Sequence, residues 1–347
     1  MIMRKIRPGP KRFFDRRSQR LQQKKRRFHS HELGSSYNTV NPRRELQEFK
    51  APRHLSIVNN PEETNAYFNT IVSAAKLGVF DRRYFFDLSE VEKLTTDAVM
   101  YILAVVLNMK SARRYRHSFS GNIPVNLEAA SILNESGFYE YVNLSNKGVK
   151  KRQKKATSIE KKIQIRAGSS IEPSAAVDIC EYLKEQEIDD AVTRKIYTIL
   201  IELMDNTKQH AYENANGLNR QWYVYVENTP SSVNFSFLDT GIGIPKTVKK
   251  KWYEKIFHKN DSDLLLSALR GEFRSVTGLK NRGKGLLEIY EIHESGDISD
   301  FSVISDKGKV FLNGDSITTE NLTNPAGGTV LSWSVIKREG IYGTENF

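Results

Sequence analysis

Apolar and polar positions alternate in recognisable blocks along the chain. YFFDLS, at 84–89, is a short aromatic run with strand character. TDAVMYILAVVLNMK follows and predicts a helix with Thr95 or Thr96 near its cap. Its apolar core, 98–109, is the longest such run in the chain. It is too short to cross a bilayer and suits a buried helix. A second strand is expected at 123–125, then an amphipathic helix across NLEAASILNESGFYEYV, ending at Gly137.

The second half carries cleaner periods. Around 196–211, Ile196, Ile199, Leu200, Leu203 and Met204 share one arc of a helix, and Glu202, Asn206 and Gln209 share the other side. On its own this is an ordinary amphipathic helix with a solvated polar face. In SVNFSFLDTGIGIP, Val233, Phe235 and Phe237 alternate with Asn234 and Ser236, which predicts a strand with one buried face. The strand ends at Asp239, with Gly241 and Gly243 just beyond. A basic, glycine-punctuated segment spans 246–282. Gly283 and Gly285 then open an apolar-periodic helix at 286–292. In NPAGGTVLSWSV, Gly327, Gly328 and Thr329 lead into a final strand.

Length and charge add the organisation. A chain of 347 residues exceeds one ordinary core and suggests two domains with extras. The formal charge is +12, but residues 1–28 carry +11 and residues 147–166 carry +8, so the remainder is −7. The body is mildly acidic and bears two basic segments. Residues 1–54 read as a basic, disordered arm that either solubilises the protein or docks on nucleic acid through 1–28. Residues 55–145 read as a small α/β domain, 146–170 as a basic linker, 171–338 as the domain with the chemistry, and 339–347 as a tail. One cysteine, Cys180, excludes an internal disulfide framework and fits a reducing, cytoplasmic setting. The basic N-terminus has no apolar stretch of a secretory signal behind it. No membrane association is expected.

The helix with Glu202 and Asn206 one turn apart, and His210 one turn further, raises the question of chemistry. A carboxylate, an amide and an imidazole can serve as base, metal ligand and phosphate contact, or His210 can simply finish the helix. Glycines that open a helix present free N–H groups and a positive dipole end to phosphate. Lys280, Arg282 and Lys284 add charge beside Gly283 and Gly285. Each motif alone is ambiguous.

Their order is specific. ExxxN on a helix, DxGxG after a strand, GxG opening a helix and GGT before a strand resemble the N, G1, G2 and GT boxes of the GHKL ATPases, the superfamily of gyrase and the sensor histidine kinases. ELMDNTKQHAY is most similar to the anti-sigma factor serine kinases. The resemblance covers about 150 residues and implies the Bergerat fold, an α/β sandwich with helices layered on a mixed, mainly antiparallel sheet. It implies ATP and Mg²⁺ as cofactors. By the same resemblance Asn206 would hold Mg²⁺, Glu202 would be the base, and Asp239 would bind the adenine amine, with Gly241 and Gly243 letting the base lie close. Gly283, Gly285 and Leu286 would cradle phosphates, Thr329 would support adenine, and 246–282 would form a lid. The preceding β–helix–β–helix block resembles a STAS domain. Such domains carry an Asp-Ser pair before the central helix, whereas here LTTDAV places Thr96 nearest the phosphoacceptor position without that order. The resemblance implies an ATPase that drives lid closure or partner switching, with a protein partner and a homodimer as assemblies. The alternatives are a Ser/Thr kinase acting on a STAS partner and a non-catalytic ATP sensor.

Overall fold

The computed structural model describes residues 46–77, 83–111, 118–144, 165–209, 221–252, 259–273 and 285–337. In the first half, four strands make one sheet: β1 (Leu46–Lys50), β3 (Arg83–Asp87), β5 (Ser118–Gly121) and β6 (Asn143–Leu144), in the order β1-β3-β5-β6. Every pairing in it is parallel. Parallel neighbours need long crossovers, and helices supply them. They are α1 (Pro61–Leu77), α2 (Thr96–Ser111), α3 (Leu127–Glu135) and the short α4 (Phe138–Tyr141). A small parallel pair, β2 (His54–Leu55) with β4 (Lys93–Leu94), precedes the two long helices. One sheet face is lined by rings from three strands: Phe49, Tyr84, Phe86 and Phe119, stacked at centroid distances of 5.4–6.3 Å.

Two expectations shift here. The arm read as running to residue 54 gives way to strand at Leu46, because Phe49 alternates into the aromatic layer. The strand expected at 123–125 lies earlier, at Ser118–Gly121. Pro124 has no N–H for a ladder, and Asn122 is spent on the neighbouring loop. Its Oδ1 accepts from Leu88 N at 2.6 Å and its Nδ2 donates to Asp87 at 2.6 Å.

The second half builds a five-stranded sheet in the order β10-β11-β9-β8-β7. The strands are β7 (Arg166–Gly168), β8 (Trp222–Asn228), β9 (Ser232–Asp239), β10 (Ser299–Asn313) and β11 (Ser316–Ile336). Every described pairing is antiparallel, where the expectation was a mixed, mainly antiparallel sheet; the parallel part of it does not occur among the described residues. Helices α5 (Pro173–Glu185) and α6 (Asp190–Gln209) cover one face. The arc Ile196, Ile199, Leu200, Leu203 and Met204 packs on Phe235, Phe237 and Trp333 in one core. Phe235 stacks on Trp333 at 4.9 Å. Burial pushes the Cys180 thiol up to about 11, so little thiolate exists at neutral pH and no nucleophile is offered there.

The opposite face of this sheet is also buried, which corrects the one-faced reading of β9. Tyr223, Tyr225, Leu238, Ile304 and Val330 point away from α6 and join the core of α1 and α2. Ser236, on the face read as polar, is buried and meets Thr96 hydroxyl to hydroxyl at 2.9 Å. Helix α2 therefore lies between two sheets, which is why Ala98–Val106 is buried along its whole length and why its sequence is apolar all round. Each fully buried large side chain in that layer contributes roughly 1.5–3 kcal/mol. Residues 44–347 accordingly form one compact unit. No described helix is long and apolar enough to cross a membrane.

Candidate functional site

Helix α6 turns its apolar arc to the sheet, so Glu202 and Asn206 sit half-buried on its rim, one turn apart. A second helix, α9 (Gly285–Glu294), begins against them. A Cβ placed on Gly285 would stand 2.7 Å from Glu202 Cβ and 3.6 Å from Asn206 Nδ2. Only a glycine lets this helix start so close. Ile289 and Ile292 anchor α9 in the core, and Leu286 packs against it. The ten-residue helix thus brings its first N–H groups to the Glu202–Asn206 edge. Glu288, in its first turn, keeps one carboxylate oxygen buried with no hydrogen-bond partner among the described residues. Gly285→Ala is expected to push α9 off α6 at a cost of about 1–3 kcal/mol. A urea melt would read this, and an unchanged midpoint would show that the helix adjusts freely.

Asp239 is the last residue of β9 and pairs with Thr329 on β11 and Trp222 on β8. Its Oδ1 accepts the Gly241 amide at 2.8 Å, which folds the carboxylate back over the turn. Thr240 locks the same turn: its N–H donates to Gln221 O at 3.1 Å, and its hydroxyl accepts from Gln221 N at 3.0 Å. Ser305 of β10 ties three segments together. It accepts the Ile244 amide at 2.8 Å, bonds Thr329 Oγ1 at 2.9 Å, and donates to Gly328 O at 3.2 Å. Gly243 packs on that same hydroxyl, and Gly328, at φ 139°, backs onto the Asp239 carbonyl.

The expected residues therefore gather in two groups, Glu202–Asn206–Gly285–Leu286 and Asp239–Gly241–Gly243–Thr329. Both stand on one core that includes Leu203, Met204, Phe237 and Ile289. His210, Lys280, Arg282, Gly283 and Lys284 lie outside the described residues. Thr240, Ser305 and Glu288 were missed. Thr240 is signalled only by its place inside DTGIG, and the other two carry no sequence signal.

The segment 246–282, read as a lid, includes most of α7 (Ile244–Trp252) and all of α8 (Asp261–Leu269). Leu264, Leu265 and Leu269 are fully buried. Asp261 takes Lys249 at 2.5 Å and the Lys307 amide at 3.2 Å. Asn260 caps α8 by accepting from Asp263 N. The middle of the segment is thus anchored on β10 rather than free to swing as a whole.

Among the described residues no group of three or more His, Cys, Asp or Glu converges to hold a metal. A hard cation at Asn206 would take the amide oxygen and draw its other ligands from phosphate and water, an arrangement typical of Mg²⁺. The Asn206 amide beside the first residue of α9 fits that use. No protein-family model matches the chain, and no curated protein does.

Proposed function

We propose that the chain binds Mg²⁺–ATP across these two groups and hydrolyses it to drive a partner-switching cycle. The observation that carries this reading is the pairwise meeting of four motifs far apart in sequence. Gly285 closes on Glu202 and Asn206, and Thr329 pairs with Asp239.

The Asp239 carboxylate accepts a hydrogen bond from the exocyclic amine of adenine, and Gly241 leaves the ring room to lie against the turn. The first amides of α9 bind phosphate oxygens, aided by the helix dipole. Asn206 offers its amide oxygen to the cation. Glu202 takes a proton from the attacking water. A Mg²⁺ held at Asn206 would supply neutralisation of the charge on the phosphoryl oxygens.

A Ser/Thr kinase is the second reading. Thr96, the residue nearest a STAS phosphoacceptor, is buried and bonded to Ser236. Self-phosphorylation there would require α2 to leave the sheet. With Mg²⁺ and ATP labelled on the γ-phosphate, label is expected as free phosphate and absent from Thr96. Label retained on this chain or on an added STAS protein would replace the hydrolase reading with the kinase.

A further inference from the structure

The GGT turn that closes on Asp239 does not hold its shape through the sheet alone. Along β10 and β11 the register runs Ser305↔Thr329, then Asp306↔Ala326, then Gly308↔Asn321. Gly327 and Gly328 therefore fall outside the ladder, as do residues 322–325. Buried or half-buried backbone groups need partners, so another element must supply them.

Helix α1 supplies them for 323–325, and α2 packs against Gly327. Glu62, Asn65 and Asn69 stand at a spacing of three and four, which aligns them on one stripe of α1. The Glu62 carboxylate accepts Thr323 N at 2.5 Å, Asn324 N at 3.0 Å and Asn324 Nδ2 at 3.1 Å. Asn65 donates to Asn324 O at 3.1 Å, and Asn69 donates to Pro325 O at 3.1 Å. From α2, the buried Tyr101 hydroxyl lies directly against Gly327. That hydroxyl occupies the space a Cβ at 327 would need, so the position takes glycine. The Tyr101 ring is held by stacking on Phe68 of α1 at 4.4 Å. Burial alone would raise the Glu62 carboxyl, and the bonds from Thr323 and Asn324 outweigh it, holding it below the usual range.

We propose that Glu62, Asn65, Asn69 and Tyr101 are positioning residues for the nucleotide site: the N-terminal helices clamp residues 323–327 and thereby set where Gly328 and Thr329 meet Asp239. This rests on the nucleotide reading above and gives it a control point. The block that resembles a STAS domain acts on nucleotide affinity from within the same chain, through α1 and α2. A partner that pulled on either helix would be felt at the turn.

The test uses the full chain with Tyr101→Phe, Glu62→Gln and the double variant. Glu320→Gln serves as a control on the same strand, since Glu320 pairs with Lys309 at 3.5 Å and not with α1. Tyr101→Phe keeps the ring stacked on Phe68, so the fold is retained, and thermal melts check this. Two quantities are read: amide hydrogen exchange over 321–329, and Mg²⁺–ATP affinity with kcat measured separately. Faster exchange in the variants is expected, with affinity about tenfold weaker in the double variant, kcat unchanged and the control like wild type. Wild-type exchange rates in the variants would overturn the clamp. Faster exchange with unchanged affinity, in a protein that binds nucleotide, would overturn the coupling and leave the nucleotide reading standing. Wild-type protein with no saturable nucleotide binding, matching Asn206→Ala, would remove the reading itself and the coupling with it.

Discussion

Glu202→Ala is expected to keep ATP bound and to slow its hydrolysis by about 10²–10⁴-fold, the usual contribution of a positioned general base. The substitution is unusually clean at this position. Gly285 packs against the Glu202 Cβ, which alanine retains. Helix α9 therefore keeps its seat, and its first amides stay in place. Asp239 lies on another element and loses nothing. Binding and turnover should separate: nucleotide affinity within about twofold of wild type, phosphate release near background. Rapid phosphate release from the variant would put the base elsewhere. Glu288, whose buried oxygen has no partner among the described residues, would be the next carboxylate to replace.

Asn206→Ala should strike binding rather than the chemical step. An amide oxygen bound to a cation is a charge-assisted contact, worth about 1.5–3 kcal/mol, or roughly 10–10²-fold in affinity. The diagnostic is the comparison with metal-free nucleotide. Wild type should bind Mg²⁺–ATP far better than ATP in chelator, and in the variant that advantage should vanish. Asn206 is half-buried on the rim of α6, away from the apolar arc, so the melting midpoint should hardly move. A variant that binds Mg²⁺–ATP normally would take Asn206 out of the metal role.

What the sequence revealed followed from periodicity. Ile196, Ile199, Leu200, Leu203 and Met204 recur at helical spacing because one sheet face waits for them, and the same spacing leaves Glu202 and Asn206 on the rim. Val233, Phe235 and Phe237 betrayed β9 in the same way. The second buried face stayed hidden because its apolar members, Leu238, Ile304 and Val330, are interleaved with residues that read as polar. Tyr223 and Tyr225 are amphipathic, and Ser236 is satisfied by a hydroxyl 140 positions away. Strand β10 went unread because Ser302, Ser305 and Asp306 interrupt its apolar positions where the register slips against β11. Ser305, which bonds Ile244, Gly328 and Thr329 together, looks in sequence like any strand serine. The clamp of Glu62 on Thr323 and Asn324 joins segments whose local patterns carry no trace of each other.

That last contact also constrains how the chain is made. Glu62 and Thr323 are 261 positions apart. At bacterial or eukaryotic elongation rates of about 5–20 residues per second, α1 waits roughly 13–50 s for its partner strand. During that interval the apolar face of α2 has emerged but the strands that cover it have not. The nascent first half therefore exposes apolar helix surface until the second sheet is made. Maturation is a late event, completed only when β11 leaves the ribosome and threads its bulged segment onto α1. Contacts of such long range make folding slow, and β11 both completes its own sheet and supplies the segment that α1 holds.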